Sequence, residues 1–204
     1  MEQKERMGED IGLVGNNGAG KTTLLSLMLD LIKADKGHIE SKGIKVNASD
    51  DWKSYTGSYL DERFLIPHLT PREYLDFVGS LHGLETGQVD EFLQKNKGFF
   101  EAELFVRKKY IRDLSTGNKN KVGILSTLLS APELIILDEP FASLDPTSQA
   151  WLKNRLLQAK EQGSTMILSS HDLNHVTDVS NRVVLLENGE LVKDLATDSE
   201  TLSE

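Results

Sequence analysis

The chain carries the stretch Gly15-Asn16-Asn17-Gly18-Ala19-Gly20-Lys21-Thr22-Thr23, which fits the pattern G-x-x-x-x-G-K-[ST] at every fixed position. It stands between an apolar, strand-like run at residues 11–14 and a helix-like segment at residues 22–32. Glycines let such a turn expose successive backbone N–H groups to one anion, and the helix N-terminus adds partial positive charge. The pattern predicts that these nine residues bind a nucleotide polyphosphate, with Lys21 on the β- and γ-phosphates and Thr22 on Mg²⁺.

Short apolar runs elsewhere predict the other strands of the core. They lie at residues 57–60, 134–137, 165–169 and 183–186. Because helix-like stretches separate them, the pattern predicts an α/β fold with a mostly parallel core sheet.

Local turn signals add detail to this sheet. Residues 38–46 predict a small antiparallel edge hairpin, and Asn188-Gly189 predicts a two-residue turn between two strands. The helix after the phosphate loop is expected to stop at Gly37 and to turn Leu31 and Ile32 toward the sheet.

A mostly helical insertion is predicted at about residues 70–130, inside one domain that covers residues 1–204. Thr70, Pro71 and Glu73 form a capping box with proline at the first helical position, so a helix is expected to begin there.

Two carboxylates, Asp138 and Glu139, follow the apolar run 134–137. At the carboxyl end of a central strand they lie where open α/β sheets bind ligands. Asp138 is placed to hold the magnesium shell, and Glu139 to accept a proton from an attacking water. Together with the phosphate loop, they predict a magnesium-dependent nucleotide hydrolase.

Two further sites leave alternatives open when they are considered alone. Ser115 and Gly117 stand just before a helix, where they either cap it or bind an anion at its N-terminus. His171 follows a strand and is either an ordinary turn residue or a sensor of the terminal phosphate.

Taken together, these segments resemble the ATP-binding subunits of ABC transporters, in order and spacing along nearly the whole chain. Residues 15–22 resemble the Walker A loop, 134–138 Walker B, 114–118 the signature motif and 143–145 the D-loop, with Glu139 as catalytic glutamate and His171 as switch histidine. The resemblance implies a P-loop NTPase that binds ATP and Mg²⁺ between two head-to-tail subunits, identical or different. Ser115 and Gly117 of one subunit would then close on the γ-phosphate held by residues 15–22 of the other, and Asp145 of the D-loop is a further nucleotide-binding candidate.

The resemblance also implies a membrane partner. ATP hydrolysis would drive transport by a separate permease, which would place this chain in the cytoplasm at the inner face of the cell membrane. Residues 64–84 are similar to exporter ATPases, and Phe64, Leu65, Ile66 and Tyr74 are the candidates for docking the permease, against a reading as ordinary core.

The chain departs from the family's pattern in several places. About ten residues precede the first strand where the family usually has some thirty, so an N-terminal truncation is expected, and no residue there can be assigned to stack on adenine. Glu62 replaces the usual Q-loop glutamine and is either a magnesium ligand or a surface glutamate. Thr116 and Asn118 replace the signature's glycine and glutamine, and Phe141 stands where threonine is common.

Composition restricts the partners. The net charge is −9 and no dense basic stripe offsets it, which argues against a nucleic acid as binding partner. There is no cysteine for a disulfide or thiolate site, and no apolar run long enough to insert directly into a membrane. A non-hydrolysing, nucleotide-gated regulatory module is the alternative function, and it predicts ATP-dependent association without turnover.

Overall fold

A central six-stranded sheet organises the computed structural model, which describes residues 9–106 and 108–197. The strands are β1 (Ile11–Val14), β2 (Glu40–Ser41), β3 (Ile44–Lys45), β4 (Thr56–Tyr59), β5 (Leu134–Leu137), β6 (Thr165–Ser170), β7 (Arg182–Glu187) and β8 (Glu190–Ala196). The α-helices are α1 (Lys21–Met28), α2 (Pro71–Leu81), α3 (Thr86–Lys95), α4 (Glu103–Val106), α5 (Thr116–Leu128), α6 (Pro146–Glu161) and α7 (Leu173–Thr177). Short 3₁₀ helices cover Asp51–Ser54, Glu62–Phe64, Lys97–Phe99 and Ile111–Asp113.

The strand order is β4-β5-β6-β1-β7-β8, in which the first five strands are parallel and β8 is antiparallel to β7. The strands β2 and β3 form a separate two-stranded sheet. Because β1, β4, β5 and β6 run the same way, the segments that follow them emerge at one edge of the sheet. The predicted phosphate loop, acidic pair and histidine are thereby brought to that edge.

The β7–β8 hairpin turns at the predicted pair, Asn188 and Gly189, whose φ angles are 50° and 80°. Positive φ at both central residues is what a type I′ turn requires, and asparagine and glycine tolerate it best. This prediction is confirmed.

The sheet is buried on both faces, so alternate residues of one strand enter different cores. Ile135 and Leu137 of β5 pack on the same side as Leu125 of α5, whereas Ile136 packs with Leu25 of α1. A strand covered on both faces reads as a continuous apolar run, which is why β5 was predictable from its composition.

Helix α1 is shorter than expected and ends at Met28. Asp30 adopts a φ of 51°, and the N–H groups of Asp30 and Leu31 donate to the carbonyls of Leu27 and Ser26. These two bonds are those of a Schellman motif, with aspartate at the left-handed position that glycine usually takes. The predictions for Leu31 and Ile32 are therefore wrong: both lie beyond the helix and are 47% and 42% exposed.

Helices α2 to α5 lie between β4 and β5, in the segment predicted to be helical. The Thr70 capping box is confirmed, since the Thr70 N–H donates to Glu73 Oε2 at 2.8 Å and the Glu73 N–H donates to Thr70 Oγ1. Helix α5 lies directly on β4, because Gly123 has no side chain to separate it from the Tyr59 ring. Among the described residues, no helix has both the length and the apolar character that crossing a bilayer requires.

The candidate docking residues divide between core and surface. Leu65 and Tyr74 are only 4% and 9% exposed and belong to the apolar core, and Ile66 packs against it. A docking role is therefore wrong for Leu65 and Tyr74. Phe64 is 50% exposed and remains available to a partner. The expectation about the N-terminal segment falls mainly on residues 1–8, which lie outside the described residues.

Candidate nucleotide site

The phosphate loop connects β1 to α1 and owes its shape to three glycines. Gly18 and Gly20 have φ angles of 85° and 103°, which side chains rarely adopt. At Gly15 a Cβ atom would lie 2.3 Å from the Leu186 carbonyl oxygen, so only glycine lets the loop pass this close to β7. Asn16, Asn17 and Gly18 are exposed, and Gly20 caps α1.

The loop is also tied to the neighbouring hairpin. The Gly189 N–H donates to the Ala19 carbonyl at 2.9 Å, and Ala19 donates in turn to the Asn16 carbonyl at 3.0 Å. These bonds hold the loop's backbone, while the side chains of Thr22 and Thr23 remain exposed at the start of α1.

Lys21 turns inward, with a side chain only 6% exposed. Its Nζ donates to the Gly15 carbonyl at 2.6 Å and lies 3.2 Å from Glu139 Oε1. A buried ammonium is costly unless it has such partners. The contacts place the cation between the phosphate loop and the predicted base.

Asp138 joins the end of β5 to the start of α1. It is 8% exposed and accepts hydrogen bonds from Thr22 Oγ1 and Ser169 Oγ. The structure therefore brings together the two oxygen donors, Thr22 and Asp138, that the sequence assigns to magnesium.

The donor set fits magnesium held jointly with a nucleotide. Mg²⁺ usually takes one or two carboxylates plus substrate phosphates and water, rather than a cage made only of protein atoms. Across residues 9–106 and 108–197 there is no cluster of three or more histidines or carboxylates suited to a metal. Asp138 with the Thr22 hydroxyl fits the first arrangement.

Glu139 has a left-handed backbone conformation, with a φ of 47°. Its Oε2 lies 2.8 Å from His171 Nδ1, and its buried Oε1 has the Lys21 ion pair but no hydrogen bond from the described residues. Strain of this kind costs about 1–3 kcal/mol and collects at functional sites. Among the described residues, Oε1 is thus held by the Lys21 ion pair alone.

His171 lies at the end of β6, with a side chain that is 57% exposed and directed toward Glu139. Its contact with the predicted base makes it more than an isolated turn residue. Its role toward a terminal phosphate stays a prediction.

Ser169 is a site residue that the sequence analysis missed. Its side chain is fully buried, donates to Asp138 Oδ1 and accepts the Glu139 N–H at 2.9 Å. A pair of serines ending an otherwise apolar strand was the only available signal. The sequence alone could not show which of Ser169 and Ser170 would lie beside Asp138, because that depends on the register between β5 and β6.

Ser115 caps α5, with its Oγ accepting the Asn118 N–H at 3.3 Å. The capping alternative is thus confirmed, and anion binding stays a prediction. At Gly117, a Cβ atom would lie 2.8 Å from the Ser143 carbonyl oxygen. Within the described residues, neither Ser115 nor Gly117 hydrogen-bonds to the phosphate loop of the same chain.

Asp145 caps α6 through both of its carboxylate oxygens. Its oxygens accept the Ser148 hydroxyl at 2.6 Å and the Ser148 N–H at 2.9 Å, and Lys121 Nζ lies at 3.3 Å. These hydrogen bonds, led by the hydroxyl, hold the pKa of Asp145 well below its ordinary value.

Glu62 lies on the 3₁₀ turn after β4, and its Oε2 forms an ion pair with Lys119 Nζ at 3.2 Å. The structure therefore gives this carboxylate a partner on α5 that the sequence did not predict. Its role as a magnesium ligand stays a prediction.

Known proteins are similar to this chain in sequence. A family model described as ABC transporter matches residues 2–142. An uncharacterized ABC transporter ATP-binding protein of Alkalihalophilus pseudofirmus is 33% identical over 87% of this chain and 65% of its own length. The Bacillus subtilis protein YhaQ, described in the same way, is 35% identical over 89% of this chain and 60% of its own length. The B. subtilis linearmycin resistance ATP-binding protein LnrL is 31% identical over 92% of this chain and 60% of its own length. The chain therefore spans roughly two thirds of these relatives or somewhat less.

Solved structures are similar in fold. The ATP-binding subunit of an ABC transporter superposes with a TM-score of 0.79 over 93% of this chain and 79% of that chain, at 27% identity. A dimeric ATP-binding cassette in a post-hydrolysis state, bound to ADP and Pi, superposes with a TM-score of 0.80 over 97% of this chain and 89% of that chain, at 23% identity. The second likeness concerns the fold alone. Both agree with the mostly parallel sheet and flanking helices of a P-loop NTPase.

Proposed function

Because this chain belongs to the ABC transporter family, we propose that it binds ATP with Mg²⁺ and hydrolyses it to drive transport by a membrane permease. The observation that carries the proposal is the position of Glu139. Its carboxylate lies between Lys21 and His171, and the neighbouring Asp138 contacts Thr22. A base, a phosphate-binding cation and an oxygen donor pair for magnesium are thus adjacent.

Hydrolysis requires a water to attack the γ-phosphorus while the bond to the β-phosphate oxygen breaks, giving ADP and phosphate. Glu139 accepts the proton of that water, and His171 orients the Glu139 carboxylate. Lys21, which lies on the Gly15 carbonyl, has the length to reach the β- and γ-phosphates. Thr22 and Asp138 would hold Mg²⁺, which would supply positive charge against those phosphate oxygens.

Two copies, or this chain and a similar one, would assemble head to tail around two nucleotides. Ser115 and Asp145 are exposed at the starts of α5 and α6, and Gly117 lies in the first turn of α5. Among the described residues, no hydrogen bond joins them to the phosphate loop of their own chain. The helix N-terminus behind Ser115 favours an anion there.

The transport partner is proposed to be a separate permease, docked near Phe64 on the 3₁₀ turn that precedes the helical segment, with this chain on the cytoplasmic side. The direction is proposed to be export, which the name of the relative LnrL, a linearmycin resistance protein, favours. One ABC-type domain, with a helical subdomain at about residues 70–130, is the proposed organisation.

The test is phosphate release from ATP by the purified chain, with and without Mg²⁺, beside Glu139→Gln. General-base catalysis contributes about 10²–10⁴-fold, so turnover should fall by at least about 10²-fold while ATP still binds. Glu133→Gln, an exposed glutamate paired with Lys42, is the matched control and should keep its activity. Equal turnover in Glu139→Gln and the parent chain would refute the assignment of the base. If the parent chain binds ATP without turnover, it is a truncated or partner-dependent subunit or the non-hydrolysing regulatory module, and ATP-dependent association is what the regulatory module predicts.

A further inference from the structure

One turn of α5 holds three different loops of the molecule. Lys119, Asn120 and Lys121 are consecutive, and successive helical residues point about 100° apart, so the three side chains spread around the helix. Lys119 pairs with Glu62 after β4, at 3.2 Å, and Lys121 pairs with Asp145 at the start of α6, at 3.3 Å. Asn120 lies between them.

Asn120 is buried, with 7% exposure, and both hydrogens of its amide reach the loop after β5. Its Nδ2 donates to the Pro140 carbonyl at 3.0 Å and to the Ala142 carbonyl at 2.8 Å. The carbonyl between them, that of Phe141, accepts from Gln149 Nε2 at 3.1 Å on the other side. Three successive carbonyls of this loop are therefore fixed by side chains, two of them by Asn120.

The same loop carries groups at both of its ends that the proposed function uses. Pro140 directly follows Glu139, and Ala142 directly precedes Ser143, against which Gly117 packs. Asn120 is one turn along α5 from Gly117. A rigid connection through Asn120 therefore sets the distance from the start of α5 to the backbone of Glu139.

On the basis of the proposed function, we propose that Asn120 is a positioning residue. It fixes the N-terminal end of α5, with Ser115 and Gly117, at a set distance from Glu139. The Lys119 and Lys121 ion pairs brace the same turn from either side. Glu139 serves the nucleotide on its own phosphate loop, whereas Ser115 and Gly117 face the nucleotide of the second subunit. Asn120 thus links the two nucleotide sites through one buried amide.

The donors of Asn120 matter for this role, not its volume. An apolar residue of similar size would fill the same space but would leave the Pro140 and Ala142 carbonyls without their donors. The Phe141 carbonyl would keep its bond from Gln149, but the carbonyls on either side of it would no longer be fixed to α5. The consequence should appear in catalysis and dimer closure rather than in nucleotide binding to the phosphate loop, whose own contacts are with β7, the β7–β8 hairpin and Lys21.

The test uses Asn120→Asp, which keeps the shape and removes the donors, and Asn120→Ala, which avoids burying a charge. The matched control is Asn96→Asp. Asn96 is equally buried, at 4% exposure, and its Nδ2 donates to the Phe92 carbonyl at 2.7 Å, away from the site. Each variant is compared in ATP affinity, in kcat and in ATP-driven dimerisation measured in a Glu139→Gln background.

For both Asn120 variants we expect ATP affinity within about threefold of the parent chain, kcat lowered by about tenfold or more, and weaker dimerisation. Asn96→Asp should lose thermal stability to a similar degree but keep kcat. If kcat falls to a similar degree in the Asn96 and Asn120 variants, Asn120 contributes only to stability and the proposal is overturned. An unchanged kcat in both Asn120 variants would also overturn it.

Amide hydrogen exchange without nucleotide separates this proposal from the proposed function. The amides of residues 141–144 should exchange faster in Asn120→Ala than in the parent chain, while the core strands stay protected. If the parent chain shows no turnover, the hydrolytic function fails, but faster exchange still supports the Asn120 link. Unchanged exchange of these four amides overturns the link even where the parent chain is an active ATPase.

Discussion

The Glu139 N–H donates to the side-chain oxygen of Ser169 at 2.9 Å, so a serine of β6 holds the peptide that carries the proposed base. The same hydroxyl donates to Asp138. A single buried side chain of β6 thus holds the Asp138 carboxylate and the Glu139 backbone, both of which follow the neighbouring parallel strand β5.

We expect Ser169→Ala to lower kcat by about 10- to 100-fold, the usual cost of removing a group that orients a site residue, with a small change in ATP affinity. The matched control is Ser126→Ala, since Ser126 is also buried but donates to the Gly123 carbonyl within α5. Steady-state kinetics and nucleotide titration measure both quantities. A normal kcat in Ser169→Ala would show that the Glu139 backbone holds its position without the serine.

Glu62→Ala tests whether Glu62 is a magnesium ligand. If it is, the Mg²⁺ concentration for half-maximal ATPase activity should rise by about tenfold or more, whereas Glu62→Gln, which keeps an oxygen donor, should change it far less. Lys119→Gln releases the carboxylate from its ion pair and should leave this concentration near that of the parent chain. The same Mg²⁺ dependence in Glu62→Ala and the parent chain would make Glu62 only the surface partner of Lys119.

Gly123 tests the packing of α5 on β4. A methyl group there would lie 2.2 Å from the Tyr59 ring, so Gly123→Ala must displace the helix or the ring. We expect it to lower the free energy of unfolding by about 1–3 kcal/mol, the range for overpacking. Gly87→Ala in α3, where nothing lies within 4 Å, should instead stabilise the chain by about 0.4–1 kcal/mol. Urea denaturation of the two variants should therefore give shifts of opposite sign.

The Asp145 carboxylate should make the thermal stability of the fold depend on pH under acidic conditions. Since the pKa of Asp145 is lowered in the folded state, ionised Asp145 stabilises the fold above its unfolded pKa, which is about 3.9. This contribution is lost as the pH falls below that value toward the folded pKa. The difference in Tm between the parent chain and Asp145→Asn should therefore be constant from pH 7 to about pH 5 and shrink below about pH 4. A difference that does not change with pH would mean that the carboxylate's charge contributes nothing.

Features that depend on neighbouring residues in sequence were predictable, and features that depend on register were not. The phosphate loop, the Thr70 capping box and the Asn188-Gly189 turn each need a particular backbone geometry, which restricts the residue types at fixed spacing. Ser169 and Asn120 bind partners about 20 to 30 positions away, and no local pattern marks them.

The end of α1 shows how a local signal can mislead. Gly37 was the expected stop because glycine adopts positive φ at the least cost, but Asp30 takes that conformation seven residues earlier. Aspartate tolerates the left-handed region better than most residues, although it announces a helix end less clearly than glycine.

At Glu139, the backbone conformation and the proposed catalytic role favour different residue types, so stability and activity conflict at this position. Its φ of 47° is a conformation in which glycine would relieve about 1–2 kcal/mol of steric repulsion. Glycine is also a residue that would remove the carboxylate altogether. Screening this chain for thermal stability alone would therefore reward the loss of the proposed base, and a stabilised variant of this protein has to be selected for turnover at the same time.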